Sequence, residues 1–105
     1  MELLTKLLVE FIGTFVLLCV IMTTLKDGKL AAIEVSLTLA GVIFFASKIS
    51  GGHFNPAVSI MMLLKNDPKY GGIECVSYVI TQILSGICAY YFITSSLTLK
   101  YRKRK

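Results

Sequence analysis

The chain has 105 residues, of which 55% are hydrophobic and only 16% charged, against about 25% charged in ordinary soluble domains. Eleven Lys and Arg face six Asp and Glu for a net charge of +5, yet five of those bases fall in the last six residues, so the remainder is near neutral. A mean hydropathy of +0.75, with two Pro and no Trp, excludes disorder, collagen and a nucleic-acid-binding composition, and makes membrane insertion the leading class.

Crossing a hydrocarbon core about 30 Å thick takes roughly 20 apolar residues in a helix, and three runs meet that need. The first, 7–25, carries one charge, Glu10, and ends at Lys26-Asp27-Gly28-Lys29, a polar turn with glycine where a helix would stop. It is longer than the apolar region of a signal peptide and no small-x-small cleavage site follows, so it reads as a retained span. The second run, 30–47, is interrupted only by Glu34; the third, 75–99, holds no charge and leads into the basic tail 100–105.

Between the second and third runs lies the segment 50–64, too short in its apolar part to cross. A helix from Pro56 to Leu64 would extend about 13 Å, less than half the hydrocarbon thickness, which is the length of a re-entrant half-helix. Asn55 is a favoured N-cap and Pro56 has its φ preset for the first helical position, while Gly51 and Gly52 permit an irregular approach. Irregular backbone at membrane depth survives only where protein buries it or where it lines a watery cavity, so the segment marks a pore or a buried interface. A half-helix ending there aims its positive dipole end into the passage and opposes cations. The Asn55 amide can donate to a passing water while its carbonyl caps the helix, and the carbonyls of Gly51, Gly52 and His53 offer a line of acceptors. From these residues alone, a plain helix start in a buried loop stays open as the other reading.

Glu10 inside a span costs about 2.5–3.5 kcal/mol in lipid, so it either faces protein or snorkels to water, and Gln82 in the third run needs partners for its amide. Gly13, Gly41, Ser85, Gly86 and Ala89 are small residues suited to close helix approach. Cys19, Cys75 and Cys88 show no paired spacing and read as small core residues. No catalytic constellation, nucleotide loop, metal-ligand cluster or cofactor motif is present in the sequence, so no enzyme activity, metal or cofactor is expected.

The run Ser50-Gly51-Gly52-His53-Phe54-Asn55-Pro56-Ala57-Val58-Ser59 resembles the first pore loop of the major intrinsic proteins, the aquaporin and glycerol facilitator family. Glu10-Phe11-Ile12-Gly13-Thr14-Phe15 is similar to the family's first-helix signature, and Tyr78-Val79-Ile80-Thr81-Gln82-Ile83-Leu84-Ser85-Gly86 to its third helix. The resemblance covers about 4–99, one of the two inverted repeats of a full member. It implies an all-α, multi-pass membrane protein with three transmembrane helices plus one re-entrant half-helix, an aquaporin-like hemipore over 1–99. The implied activity is passive conduction of water or a small neutral solute, with Gly51, Gly52, His53, Asn55, Pro56, Ala57 and Val58 along the path. In the family the glutamate at Glu10 supports the loop by accepting backbone N–H bonds, and Gln82 is assigned the same supporting part. Val35, twenty residues before Asn55, falls at one of the family's selectivity-filter positions and, being small, leans away from a strict water filter.

No second Asn-Pro-Ala occurs, and Arg102 and Arg104 both lie in the tail, so the membrane-embedded arginine of the family's second loop has no counterpart. The expected partners are the bilayer, the solute, and either an antiparallel second copy or a separately encoded second half. A rival reading is a non-conducting assembly or regulatory module that pairs with a full channel. With three spans, Lys6, Lys48, Lys65 and Lys69 share one side of the membrane and Lys26, Lys29, Lys100, Arg102, Lys103, Arg104 and Lys105 the other. The family's usual orientation, N-terminus in the cytoplasm, would send the larger set outward against the positive-inside tendency; either the chain inserts opposite to its relatives or both orientations occur, and the favoured mixed insertion would let two copies pair head to tail.

Overall fold

Four α-helices form among the described residues of the computed structural model: α1 (Leu3–Thr24), α2 (Lys29–Ala46), α3 (Pro56–Leu64) and α4 (Gly72–Arg104). Residues 2–104 are described, with side chains to residue 97, so the basic tail expected at 100–105 lies outside the described side chains and Lys105 outside the described residues. Among the described residues three segments are long and apolar enough to cross a membrane, Leu3–Asp27, Lys29–Ala46 and Gly72–Leu97, whereas the nine residues of α3 reach only about 13 Å. The architecture is therefore all-α, with three spans and one half-helix.

Helix edges follow backbone hydrogen bonds and caps more closely than hydropathy. α1 starts at Leu3, ahead of its apolar run, and α4 starts at Gly72, ahead of Cys75. The cause at α4 is local: the Gly71 N–H donates to Glu74 Oε2 at 3.0 Å, an acid in the first turn reaching back to the cap. Between α1 and α2 a 3₁₀ turn at Leu25–Asp27 leads to Gly28, whose φ of 56° and ψ of −118° suit a residue without Cβ. At the far end of α3, Asn66 takes a left-handed φ of 64° and its N–H donates to Leu63 at 3.0 Å, which closes the half-helix.

α1 is the spine. It packs against both α2 and α4, and α3 packs against α4, while α2 and α4 make no direct contact among the described residues. Close approach of α4 depends on small residues: Ser85 Oγ donates to the Phe11 carbonyl at 2.6 Å, Gly86 faces Leu18, and Ala89 is buried. Two of the expected packing glycines behave differently. Gly13 makes room for the ring of Phe54, a loop residue, and Gly41 faces open space. The apolar core gathers Leu17, Ala46 and Phe54, with Val9, Ile21, Val35 and Val42 against them, so the loop contributes a wedge to the seam between α1 and α2.

These two glycines generate opposite expectations. A Cβ on Gly13 would penetrate the Phe54 ring, so Gly13→Ala should destabilise the chain by about 1–3 kcal/mol, as overpacking does. Gly41→Ala meets nothing within 4 Å and should be neutral or stabilising by up to about 1 kcal/mol through helix propensity. Thermal unfolding of both variants in one detergent, followed by helical circular dichroism, checks the contrast.

Candidate functional site

The approach to α3 is built from left-handed backbone. Gly51, Gly52 and Phe54 have φ of 94°, 63° and 53°; the two glycines adopt this freely, but for Phe54 it costs of order 1–3 kcal/mol. What holds Phe54 there is its 4% exposed ring locked over Gly13, and its N–H, which donates to Glu10 Oε1 at 2.8 Å.

Glu10, fully buried, receives donors from three directions. Its Oε2 accepts from the Ser50 hydroxyl at 2.6 Å and from the His53 N–H at 3.0 Å. Its Oε1 accepts from the Phe54 N–H and from Gln82 Nε2 at 2.9 Å. Ser50 Oγ in turn accepts the Gly52 N–H at 3.1 Å. Successive backbone N–H groups thus form a concave anion nest around a carboxylate supplied from another helix.

That nest fixes where the carbonyls point. In a planar trans peptide the N–H of one residue is opposed to the C=O of the residue before it, and no cis peptide occurs among the described residues. With the N–H groups of Gly52, His53 and Phe54 drawn toward Ser50 and Glu10, the carbonyls of Gly51, Gly52 and His53 turn the other way. No hydrogen bond among the described residues ends on any of the three. Asn55, exposed at the tip, accepts the Ala57 N–H on Oδ1 at 2.8 Å and the Ser59 N–H on its backbone carbonyl at 3.1 Å. Its side-chain NH2 has no protein partner among the described residues. Pro56 and Val58 are half-buried beyond it and Ala57 is exposed.

A second layer braces the first. Gln82 Nε2 also donates to Ser59 Oγ at 3.0 Å, and Ser59 Oγ lies 2.8 Å from His53 Nδ1. The Tyr78 hydroxyl donates to the Ser50 carbonyl at 2.6 Å, and the His53 ring sits 5.1 Å from Tyr70 and 5.0 Å from Tyr78. Burial pushes the Tyr70 phenol up to about 12, so the cluster gains no negative charge there at neutral pH. The structure therefore brings Glu10, Gln82 and the 51–58 segment together. Val35 stands apart, packed half-buried on the apolar core, about 16 Å along α2 from Ala46.

Sequence reasoning missed Ser50, Ser59 and Tyr78 as braces and Phe54 as the wedge. A signal existed for part of this: Cys75, Tyr78, Gln82, Ser85 and Ala89, all buried, recur at three- and four-residue spacing, a partly polar stripe on a helix otherwise facing lipid.

Residues 28–104 match the family model described as "Major intrinsic protein". Among curated relatives, "Glycerol uptake facilitator protein-like 6" of Lactiplantibacillus plantarum is 36% identical over 88 residues, covering 80% of this chain and 40% of the relative. "Aquaporin Z" of Photorhabdus laumondii is 34% identical over 96 residues, covering 82% and 41%, and human "Aquaporin-9" is 38% identical over 71 residues, covering 58% and 24%. The chain thus spans about two fifths of the length of the first two relatives. No solved structure matches it significantly.

The nest makes a sharp prediction for Glu10→Gln, which replaces one acceptor oxygen by an NH2 that faces two donors. Each donor left unmatched should cost about 1–3 kcal/mol. Tyr78→Phe removes one bond to a carbonyl and should cost about 1 kcal/mol. Unfolding in detergent should therefore rank wild type above Tyr78→Phe above Glu10→Gln; equal stability of wild type and Glu10→Gln would contradict the nest.

Proposed function

The chain belongs to the major intrinsic protein family, and from that premise we propose that it forms one wall of a passive transmembrane path for water or a small neutral solute, completed by a second half-channel. The observation carrying this reading is the division of the loop into two chemical faces. Its N–H groups are spent on Glu10 and Ser50, whereas the carbonyls of Gly51, Gly52 and His53 and the Asn55 amide have no protein partner among the described residues. At membrane depth such groups need something polar, and a file of water supplies it.

A solute would exchange hydrogen bonds in steps along the loop. Carbonyls accept its O–H groups at Gly51, Gly52 and His53, and the Asn55 NH2 donates to its oxygen at the tip. The α3 N-terminus adds a positive dipole end there, which disfavours cations. Two "aquaporin" relatives and a "glycerol uptake facilitator"-like relative support the solute class. Val35 is kept as the α2 residue that the family resemblance puts at a selectivity-filter position.

Osmotic shrinkage of liposomes holding this chain alone tests conduction. Wild type should exceed empty liposomes, and Asn55→Asp should lose much of that excess, since a carboxylate keeps the N-cap but has no donor. Rates equal to empty liposomes would favour the non-conducting assembly module.

Completion of the path by an inverted second copy has its own test. In a chain stripped of Cys19, Cys75 and Cys88, a single cysteine placed at the N-terminus should label from both sides of the membrane, and cross-linking should trap dimers. A uniform N-terminus-inside population would defeat the antiparallel pair and leave a separately supplied second half as the better account.

A further inference from the structure

An apolar groove of about 210 Å³ runs between the first half of α1 and the last turns of α2, walled by Val9, Ile12, Val42, Phe45 and Ile49 and floored by Phe54. Its rim residues Ile12 and Phe45 are 60% and 77% exposed. α1 and α2 are consecutive, joined by a tight turn and packed together, so they run antiparallel, and the start of α1 lies beside the end of α2. At that end Lys6 precedes Val9 by one turn, half-buried, and Lys48 lies exposed between Ala46 and Ile49. The acids nearby are Glu2, exposed before the first turn of α1, and Glu10, whose oxygens are taken by the loop.

We infer that this groove seats one acyl chain of an anionic phospholipid, with the headgroup phosphate held by Lys6 and Lys48. Water gains nothing in a cavity without polar walls, and a hydrocarbon chain fills it at no desolvation cost. The choice of an anionic lipid rests on charge: Lys6, one turn before the groove residue Val9, and Lys48, next to the groove residue Ile49, have stems able to lie on apolar surface while their ammonium groups reach the interface. Basic pockets between transmembrane helices are headgroup sites by the same logic. Lys65 and Lys69 share the membrane side but lie in the α3–α4 connection, on neither of the helices that wall the groove. The site is independent of conduction, because none of its ligands uses the loop carbonyls or Asn55.

Native mass spectrometry of the full chain released from bilayers of equal phosphatidylglycerol and phosphatidylcholine tests the assignment. One retained phosphatidylglycerol is expected in excess of phosphatidylcholine by roughly tenfold or more, two bases acting together. Lys6→Gln with Lys48→Gln should abolish that preference, whereas Lys65→Gln with Lys69→Gln should keep it. Ile12→Trp, a change at an exposed rim position that fills the groove, should release the lipid with both bases intact. Equal losses in the two lysine pairs would show only general surface attraction and overturn the site, as would undiminished lipid on Ile12→Trp. Disulfide-linked dimers through Phe45→Cys with no retained lipid would give the groove to a second copy instead. Each variant is first shown to keep its helical signal and melting temperature.

Discussion

A carboxylate buried inside a membrane span is tolerable only if donors surround it, and a loop that bends back at membrane depth is tolerable only if its N–H groups find acceptors. Glu10 and the loop meet both conditions at once. Alone, an acid at the centre of a span costs about 2.5–3.5 kcal/mol, and each unpaired backbone group in lipid costs several. Together they leave two acceptor oxygens filled by the Ser50 hydroxyl, two backbone N–H groups and the Gln82 amide. Truncating either partner would expose the other's full desolvation penalty, so the pair is far more costly to break than its net contribution suggests.

From that contact the remaining geometry follows in order. Glu10 sits on α1 and Gln82 on α4, so the shared carboxylate ties those two helices to the loop. Drawing the N–H groups of His53 and Phe54 inward forces Phe54 into a left-handed conformation, which is affordable because Gly13, one turn beyond Glu10, leaves room for its ring. Asn55 then emerges extended and able to cap α3. One residue of α1 orients the polar face of the loop and another clears its apolar side.

Much of this was legible in the sequence, for identifiable reasons. The three spans announce themselves because hydrocarbon thickness sets a length, and α3 because Asn55-Pro56 states its start while the polar residues after Leu64 state its end. Glu10 and Gln82 stood out as misfits in lipid. What resisted reading was reciprocal: Phe54 looks like any apolar residue until Gly13 is placed beneath it, and Gly41 looks like Gly13 until the facing side is known. Ser50, Ser59 and Tyr78 are ordinary in composition, and only the three-dimensional crossing of α4 over the loop turns them into braces. Helix edges were also blurred, because α4 is lengthened by a Glu74 cap that hydropathy does not register.

The proposed path needs a second wall for a reason that lies in proportions. The molecule measures 56 × 26 × 20 Å, only a few helix diameters across, and just 6% of the α2 membrane window is buried within it, against 28% for α1. Carbonyls without a protein partner in so thin a body would be stranded if lipid reached them. Whatever covers them must carry polar groups at the same depth, which an apolar helix lacks and a second loop of this kind possesses. In the inverted pair, two positive half-helix ends would approach each other and repel. Loop contacts alone would therefore favour separation, so apolar surface outside the loop must supply the association. A water whose oxygen accepts from both Asn55 amides would relieve the repulsion at the point of closest approach while presenting its hydrogens outward along the file. In the proposed pair, the feature that would make the two halves repel is thus the one that would orient a solute between them.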